Sequence, residues 1–348
     1  MSGTGCDSKS SAPSQASQKQ FSASRQAGEI RSGDRGAMAR AITLIESRLP
    51  EQAEEGQAIL EQLLPHSGSA LRVGITGPPG VGKSTFIEGL GLLLVEQGYR
   101  VAVLAVDPSS PVTGGSILGD KTRMEGLAQH AAAFIRPSPS GGSLGGVAHR
   151  TREVMLLCEA AGYDVVLIET VGIGQSEVTV SSMVDFFLVM LLPAGGDQLQ
   201  GIKRGVMELA DLLVVNKADG STRQLAEITR QEYESALSLI RPSSPVWRPR
   251  ALLASALDRT GLAEVWAVMQ THKEALLSSG ELEQRRRRQN RDWMWSLIDR
   301  GLREALDADP QAAARWPQLE DEVEHQQRTP ASASRSILDL FLKRGEGR

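Results

Sequence analysis

Cysteine is almost missing from this chain. The two present, Cys6 and Cys158, stand far apart and match neither a disulfide framework nor a zinc spacing. Cys158 reads as a small buried apolar residue and Cys6 as part of a tail, and a reducing cytoplasm suits both. No apolar run reaches membrane length without polar interruption. The longest, FFLVMLL (Phe186 to Leu192), stops at Pro193 and suits a buried strand. The N-terminus has no apolar core of a secretory signal. It is Ser-rich and acid-poor but lacks the helically spaced apolar residues of a transit peptide. There is no cationic excess either. Lys and Arg number 38 against 42 Asp and Glu, a net charge of -4, so nothing favours a general nucleic-acid binder. The RRRR run (285–288), with Glu281, Glu283 and Asp292 nearby, reads as a solvated helix face.

What is present is a core. Of 348 residues, 41% are hydrophobic, enough for one large domain or one domain with helical additions. Residues 1–37 are rich in Ser, Gln, Gly and Ala and are expected to be a disordered tail. Residues 38–66 follow a helical period. Ile42, Leu44, Ile45 and Leu49 share a face, and a second helix carries Ile59, Leu60, Leu63 and Leu64. Over residues 67–275, apolar runs of strand length then alternate with helical stretches. The runs cover 71–76, 101–106, 132–137, 164–169, 186–192, 212–217 and 251–255. Several are apolar throughout, as strands covered on both faces are. The expectation is an α/β fold, three-layered, with a mainly parallel sheet and helical crossovers. Residues 276–348 change character. A long charged helix over 280–306 carries Trp293, Trp295, Leu297, Ile298 and Leu302, Pro310 and Pro317 are expected to break it, and a short helix follows with Ile337, Leu338, Leu340 and Phe341.

The stretch GITGPPGVGKST (74–85) holds G-x-x-x-x-G-K-S between a strand and a helix, the context a phosphate-binding loop needs. Glycines let successive N–H groups turn inward, and the helix N-terminus adds its dipole. Gly77, Pro78, Pro79, Gly80, Val81, Gly82, Lys83, Ser84 and Thr85 are therefore the expected phosphate site. Lys83 would reach the β- and γ-phosphates, and Ser84 would ligate Mg²⁺. NKAD (216–219) chooses the base. Asp219 can accept from the N1–H and the exocyclic amine of guanine, and adenine offers neither donor there. Asn216 and Lys217 would brace the loop and cover the base. Ser255, Ala256 and Leu257 follow the last strand, where a backbone N–H could meet guanine O6. GTP and GDP are the expected ligands.

Two acids, Asp107 and Glu169, end neighbouring strand runs beside the phosphate loop and are expected, with Ser84, to form the metal site. Gly172 follows Glu169 at the place where an N–H can meet the γ-phosphate. The turn-rich segment 107–124, with Asp120, reads as a loop that orders around that phosphate. A further Gly-flanked loop, 193–205, holds Gln200 and Lys203. Ile173 stands where Ras-like proteins carry a water-positioning Gln directly after the glycine. Hydrolysis by the chain alone should be slow, on the order of 10⁻³ s⁻¹ or below.

Taken together, GDRGAMARAITLIES, GITGPPGVGKST, VAVLAVDPSSPVTGGSILGDKTRM, ETVGIGQSE, PAGGDQLQGIKRG, VVNKADG and DWMWSLI resemble the methylmalonyl-CoA mutase-associated GTPases, of the SIMIBI class of P-loop proteins. The resemblance runs from about Gly33 to Arg303. It implies an N-terminal helical extension on a G domain and a homodimer held by C-terminal helices, making 276–348 a dimerisation arm. It implies GTP-dependent gating of adenosylcobalamin loading onto a B12-dependent acyl-CoA mutase, methylmalonyl-CoA mutase or a close relative, and protection of that enzyme. The mutase's cobalamin adenosyltransferase is an implied second partner. The candidate catalytic set that follows is Lys83, Asp107, Asp120, Glu169, Gln200 and Lys203, the last two lying in a loop similar to the family's partner-responsive switch. One departure is LLASAL (252–257), without the more usual Thr before Ser-Ala, which leaves the base contact intact. Two other classes compete. A nickel-inserting GTPase should carry a Cys/His cluster, and the 5 histidines here are scattered. A kinase, as an older family name for arginine and ornithine transport suggests, needs an acceptor-binding motif that is not evident.

Overall fold

The computed structural model describes residues 15–47, 49–106, 124–137, 144–170, 175–193 and 204–342. Three helices come first: α1 Gln15–Arg31, α2 Arg35–Glu46 and α3 Pro50–Leu63. Strands and helices then alternate: β1 Leu71–Thr76, α4 Lys83–Glu96, β2 Val101–Val106, α5 Glu125–Ala128, β3 Ala133–Arg136, α6 Leu144–Ala160, β4 Val165–Thr170, α7 Gln175–Ser181, β5 Phe186–Leu191, α8 Arg204–Met207, β6 Leu212–Val215, α9 Arg223–Ser238, β7 Arg250–Leu253 and α10 Leu262–Ser278. The last three helices are α11 Glu281–Asp307, α12 Pro310–Glu324 and α13 Pro330–Leu342.

The seven apolar runs become one parallel sheet in the order β3-β2-β4-β1-β5-β6-β7. Successive side chains point to opposite faces, so a strand apolar throughout feeds two cores. Val165 and Leu167 of β4 join Phe86 and Leu90 of α4 and Val265 and Met269 of α10. Val166 and Ile168 join Leu157 and Cys158 of α6 and the apolar faces of α1 to α3. The result is the expected three-layer α/β fold. The chain leaves β1 toward β2 on one side and leaves β5 toward β6 on the other. The crevice at this reversal opens beyond the carboxyl end of β1.

Residues 15–31 correct the expectation of a disordered tail over 1–37. They form α1, which buries Ala23, Ala27 and Ile30. These lie at i, i+4 and i+7, a helical stripe of two alanines and one isoleucine. Asp34 then caps α2, accepting from Ala37 N–H at 2.8 Å. The start of α2 reaches the sheet edge, where Arg35 donates to the carbonyls of Ala131, at 2.9 Å, and Ala133. The end of α2 reaches the other end of β3, where Glu46 pairs with Arg136 at 2.5 Å.

The chain separates into two compact units, residues 1–283 and 284–348, so the boundary falls inside α11 rather than at 276. In the second unit Ala312, Leu319, Ala333 and Ile337 form a small core between α12 and α13. Pro310 opens α12 at its first turn, where a missing N–H is harmless, and Asp309 caps it. Pro317 was expected to end a helix but sits within α12, which loses one ladder bond and continues. On α11 Met294, Trp295, Ile298 and Leu302 remain exposed.

Candidate functional site

Beyond β1 the backbone doubles back and enters α4. Gly77 passes so close to β5 that a Cβ there would lie 2.6 Å from the Met190 carbonyl oxygen. Gly82 is left-handed, with φ 95°, and a Cβ on it would meet Asn216 Nδ2 at 2.8 Å. Only glycine fits either position. Lys83, the first residue of α4, is buried and curls back over the loop. Its Nζ donates to the carbonyls of Gly77 at 2.8 Å and Pro78 at 3.3 Å. Burial pushes its pKa down, opposed by the carboxylates of Glu169 and Glu177. Pro79, Gly80 and Thr85 are exposed, and the Val81 side chain is buried.

Ser84 Oγ donates to Glu169 Oε1 at 3.1 Å, which joins the phosphate loop to the end of β4. Beside it Thr170 Oγ1 donates to Thr76 Oγ1 at 2.8 Å, pinning the ends of β4 and β1 together in a buried position. A hydroxyl and a carboxylate at this spacing are hard oxygen donors, the set that suits Mg²⁺. Asp107, Asp120, Gly172, Gln200 and Lys203 lie outside the described residues.

The base-reading candidates sit at the ends of β6 and β7. Asn216 is buried and makes two contacts that span the site. Its Nδ2 donates to the Val81 carbonyl at 2.7 Å, and its Oδ1 accepts from Ala256 N–H at 3.0 Å. One side chain thus ties the phosphate loop to the loop after β7. Lys217 is left-handed at φ 60° and exposed. Asp219 Oδ2 accepts from the buried Ser255 Oγ at 2.5 Å, and Ser255 Oγ accepts in turn from Asp258 N–H at 3.1 Å. Leu257 is 80% exposed, an apolar surface open to a flat ligand. Two contributors were not singled out from the sequence. Thr76 is hidden inside an apolar strand run. Thr222, three residues after Asp219, reaches back over the turn, a habit of Ser and Thr near turns that could have flagged it.

Comparison with known proteins points one way. The family model described as methylmalonyl Co-A mutase-associated GTPase MeaB matches residues 38–311. A probable GTPase of Mycobacterium tuberculosis is 53% identical over 311 residues, covering 89% of this chain and 93% of that one. The mouse methylmalonic aciduria type A homolog, mitochondrial, is 47% identical over 322 residues, covering 90% and 78% respectively. A crystal structure described as an LAO/AO transport system kinase superposes with a TM-score of 0.76 at 39% identity, over 95% of this chain and 100% of that one. Among the described residues no helix is long and apolar enough to cross a membrane.

Proposed function

The chain belongs to the family of methylmalonyl-CoA mutase-associated GTPases, and on that premise we propose that it binds and hydrolyses GTP as a chaperone of a B12-dependent acyl-CoA mutase. In this role it gates adenosylcobalamin loading and protects the enzyme. The observation that carries the reading is Asn216, which links a phosphate-type loop at Val81 to a base-reading loop at Ala256. A site built for phosphate alone has no use for that link.

In the proposed mechanism the β- and γ-phosphates take over the Lys83 ammonium from the Gly77 and Pro78 carbonyls that now accept from it. The charge lost to burial is then compensated by the ligand. Loop N–H groups and the start of α4 hold the phosphate oxygens. Ser84 and Glu169 would hold Mg²⁺, together with Asp107. Bound there, Mg²⁺ would supply positive charge to offset the negative charge that develops on the phosphate oxygens. Asp219 accepts two hydrogen bonds from guanine, with Ser255 fixing its second oxygen. Lys217 and Leu257 cover the base faces. Gly172 and Asp120 belong to loops that sense the γ-phosphate. Gln200 and Lys203 respond to the mutase, and Lys203 supplies a cation during stimulated hydrolysis.

The protein works in the cytoplasm as a homodimer joined through its C-terminal helices, with the mutase's adenosyltransferase as a second partner. The test is a pull-down from native extract with protein loaded with a non-hydrolysable GTP analogue or with GDP. A B12-dependent mutase retained in a nucleotide-dependent way supports the reading. A hydrogenase or urease precursor in its place points to nickel insertion, and phosphate transfer from GTP to arginine points to a kinase.

A further inference from the structure

We propose that Thr222 is a positioning residue for guanine recognition, holding the turn that presents Asp219. The inference rests on the nucleotide reading given above. The turn after β6 contains two left-handed residues, Lys217 at φ 60° and Gly220 at φ 46°. Gly220 takes that conformation freely, but Lys217 carries a Cβ and is strained there. Such a residue persists only where its surroundings hold it.

The Thr222 hydroxyl is that hold. Its Oγ1 lies 2.5 Å from the Lys217 carbonyl oxygen and 2.7 Å from the Asp219 carbonyl oxygen. Thr222 N–H also donates to Asp219 O at 3.0 Å. One hydroxyl proton therefore serves the carbonyls of both Lys217 and Asp219, the residues that cover and read the base. The other ties of this turn run outward. Ala218 N–H donates to Ala254 O at 3.0 Å, and the Asp219 carboxylate accepts from Ser255. Those contacts fix where the turn sits. The Thr222 hydroxyl fixes its internal shape.

Thr222 is only partly buried. Losing the hydroxyl should leave the fold intact and lower the fraction of molecules whose turn is shaped for guanine. Apparent affinity falls by that fraction, while the choice of guanine over adenine, made by Asp219, is retained.

The test uses the full chain and fluorescently labelled GDP, with Thr222→Val and Thr222→Ser. Thr222→Val should weaken GDP binding roughly fivefold to tenfold, the worth of about one neutral hydrogen bond. ATP should still fail to compete, and the nucleotide-free melting temperature should match wild type. Thr222→Ser, which keeps the hydroxyl, should restore wild-type binding. GDP binding by Thr222→Val equal to wild type overturns the inference, as does a Thr222→Ser variant as weak as Thr222→Val. Loss of binding matched by a lowered melting temperature also overturns it, since Thr222 is then merely structural. A wild-type chain that does not hold GDP defeats the nucleotide reading itself.

Discussion

Asn216 offers the sharpest test of how the site is built. Asn216→Ala removes two hydrogen bonds at once and strands the Val81 carbonyl and the Ala256 N–H in a buried place. Each stranded group costs about 1–3 kcal/mol. Partial relaxation makes about 3 kcal/mol a reasonable total, which at about 2–4 °C per kcal/mol lowers the melting temperature by roughly 6–12 °C. Asn216→Asp is the more informative partner. One carboxylate oxygen still accepts from Ala256 N–H, but the other faces the Val81 carbonyl at the 2.7 Å now spanned by an N–H donor. The aspartate can relieve this clash only by holding a proton, so its pKa in the folded state rises above its value in the unfolded chain. Below the unfolded pKa both states are protonated and the variant stays near wild type. As pH rises through the folded value the native state binds more protons than the unfolded one, and stability is lost. The deficit of Asn216→Asp against wild type should therefore grow from acid to neutral pH. Thermal denaturation without nucleotide across that range reads it, alongside GDP dissociation rates. The reasoning fails if Asn216→Ala melts within about 1 °C of wild type, or if the Asp deficit is flat with pH.

Further expectations concern the ligand, the buried lysine and the assembly. Asp219→Asn should move preference from guanine to xanthine nucleotides, because an amide donates to xanthine's added carbonyl; competition binding decides it, and equal binding of ATP and GTP by wild type would defeat the base reading. Burial holds the Lys83 pKa down. Between that value and the ordinary one, the unfolded chain binds more protons, so nucleotide-free stability should rise with pH. Lys83→Met should remove this alkaline slope in urea melts, and an unchanged slope assigns it to another group. Trp295→Glu with Leu302→Glu places charge on the exposed apolar face of α11 and should give a monomer by light scattering. Wild type that is itself monomeric removes the dimer.

Most strands were legible because their residues are apolar without alternation over runs too short for a buried helix, as a doubly covered sheet produces. β1, β2 and β5 therefore fall on or within one residue of the runs at 71–76, 101–106 and 186–192. Helix α1 was not legible. It buries two alanines and a single isoleucine, and composition does not separate a helix with so thin an apolar stripe from a polar tail. The motif strings identify which residues meet at the carboxyl edge but not what they do to one another. Nothing in NKAD says that Asn216 reaches Val81, 135 positions away in sequence. Nor does LRVGIT announce that Arg72 is buried in a bidentate pair with Glu159 at 2.7 and 2.9 Å. Such contacts depend on register between distant elements, which local periodicity does not carry.

The N-terminal helices also set an order of events during synthesis. Helices α1 to α3 are made before the sheet, yet the groups they dock on are encoded much later. Arg35 meets the carbonyl of Ala131, 96 positions on, Gln57 meets Glu153 at the same separation, and Glu46 meets Arg136 after 90. At about 5–20 residues per second the ribosome needs roughly 5–20 s to supply these counterparts. Until then the first three helices have only each other, and their apolar stripes wait in the open. These helices thus leave the ribosome before their docking partners exist, and nascent chains of this protein should engage holdase chaperones through residues 15–63.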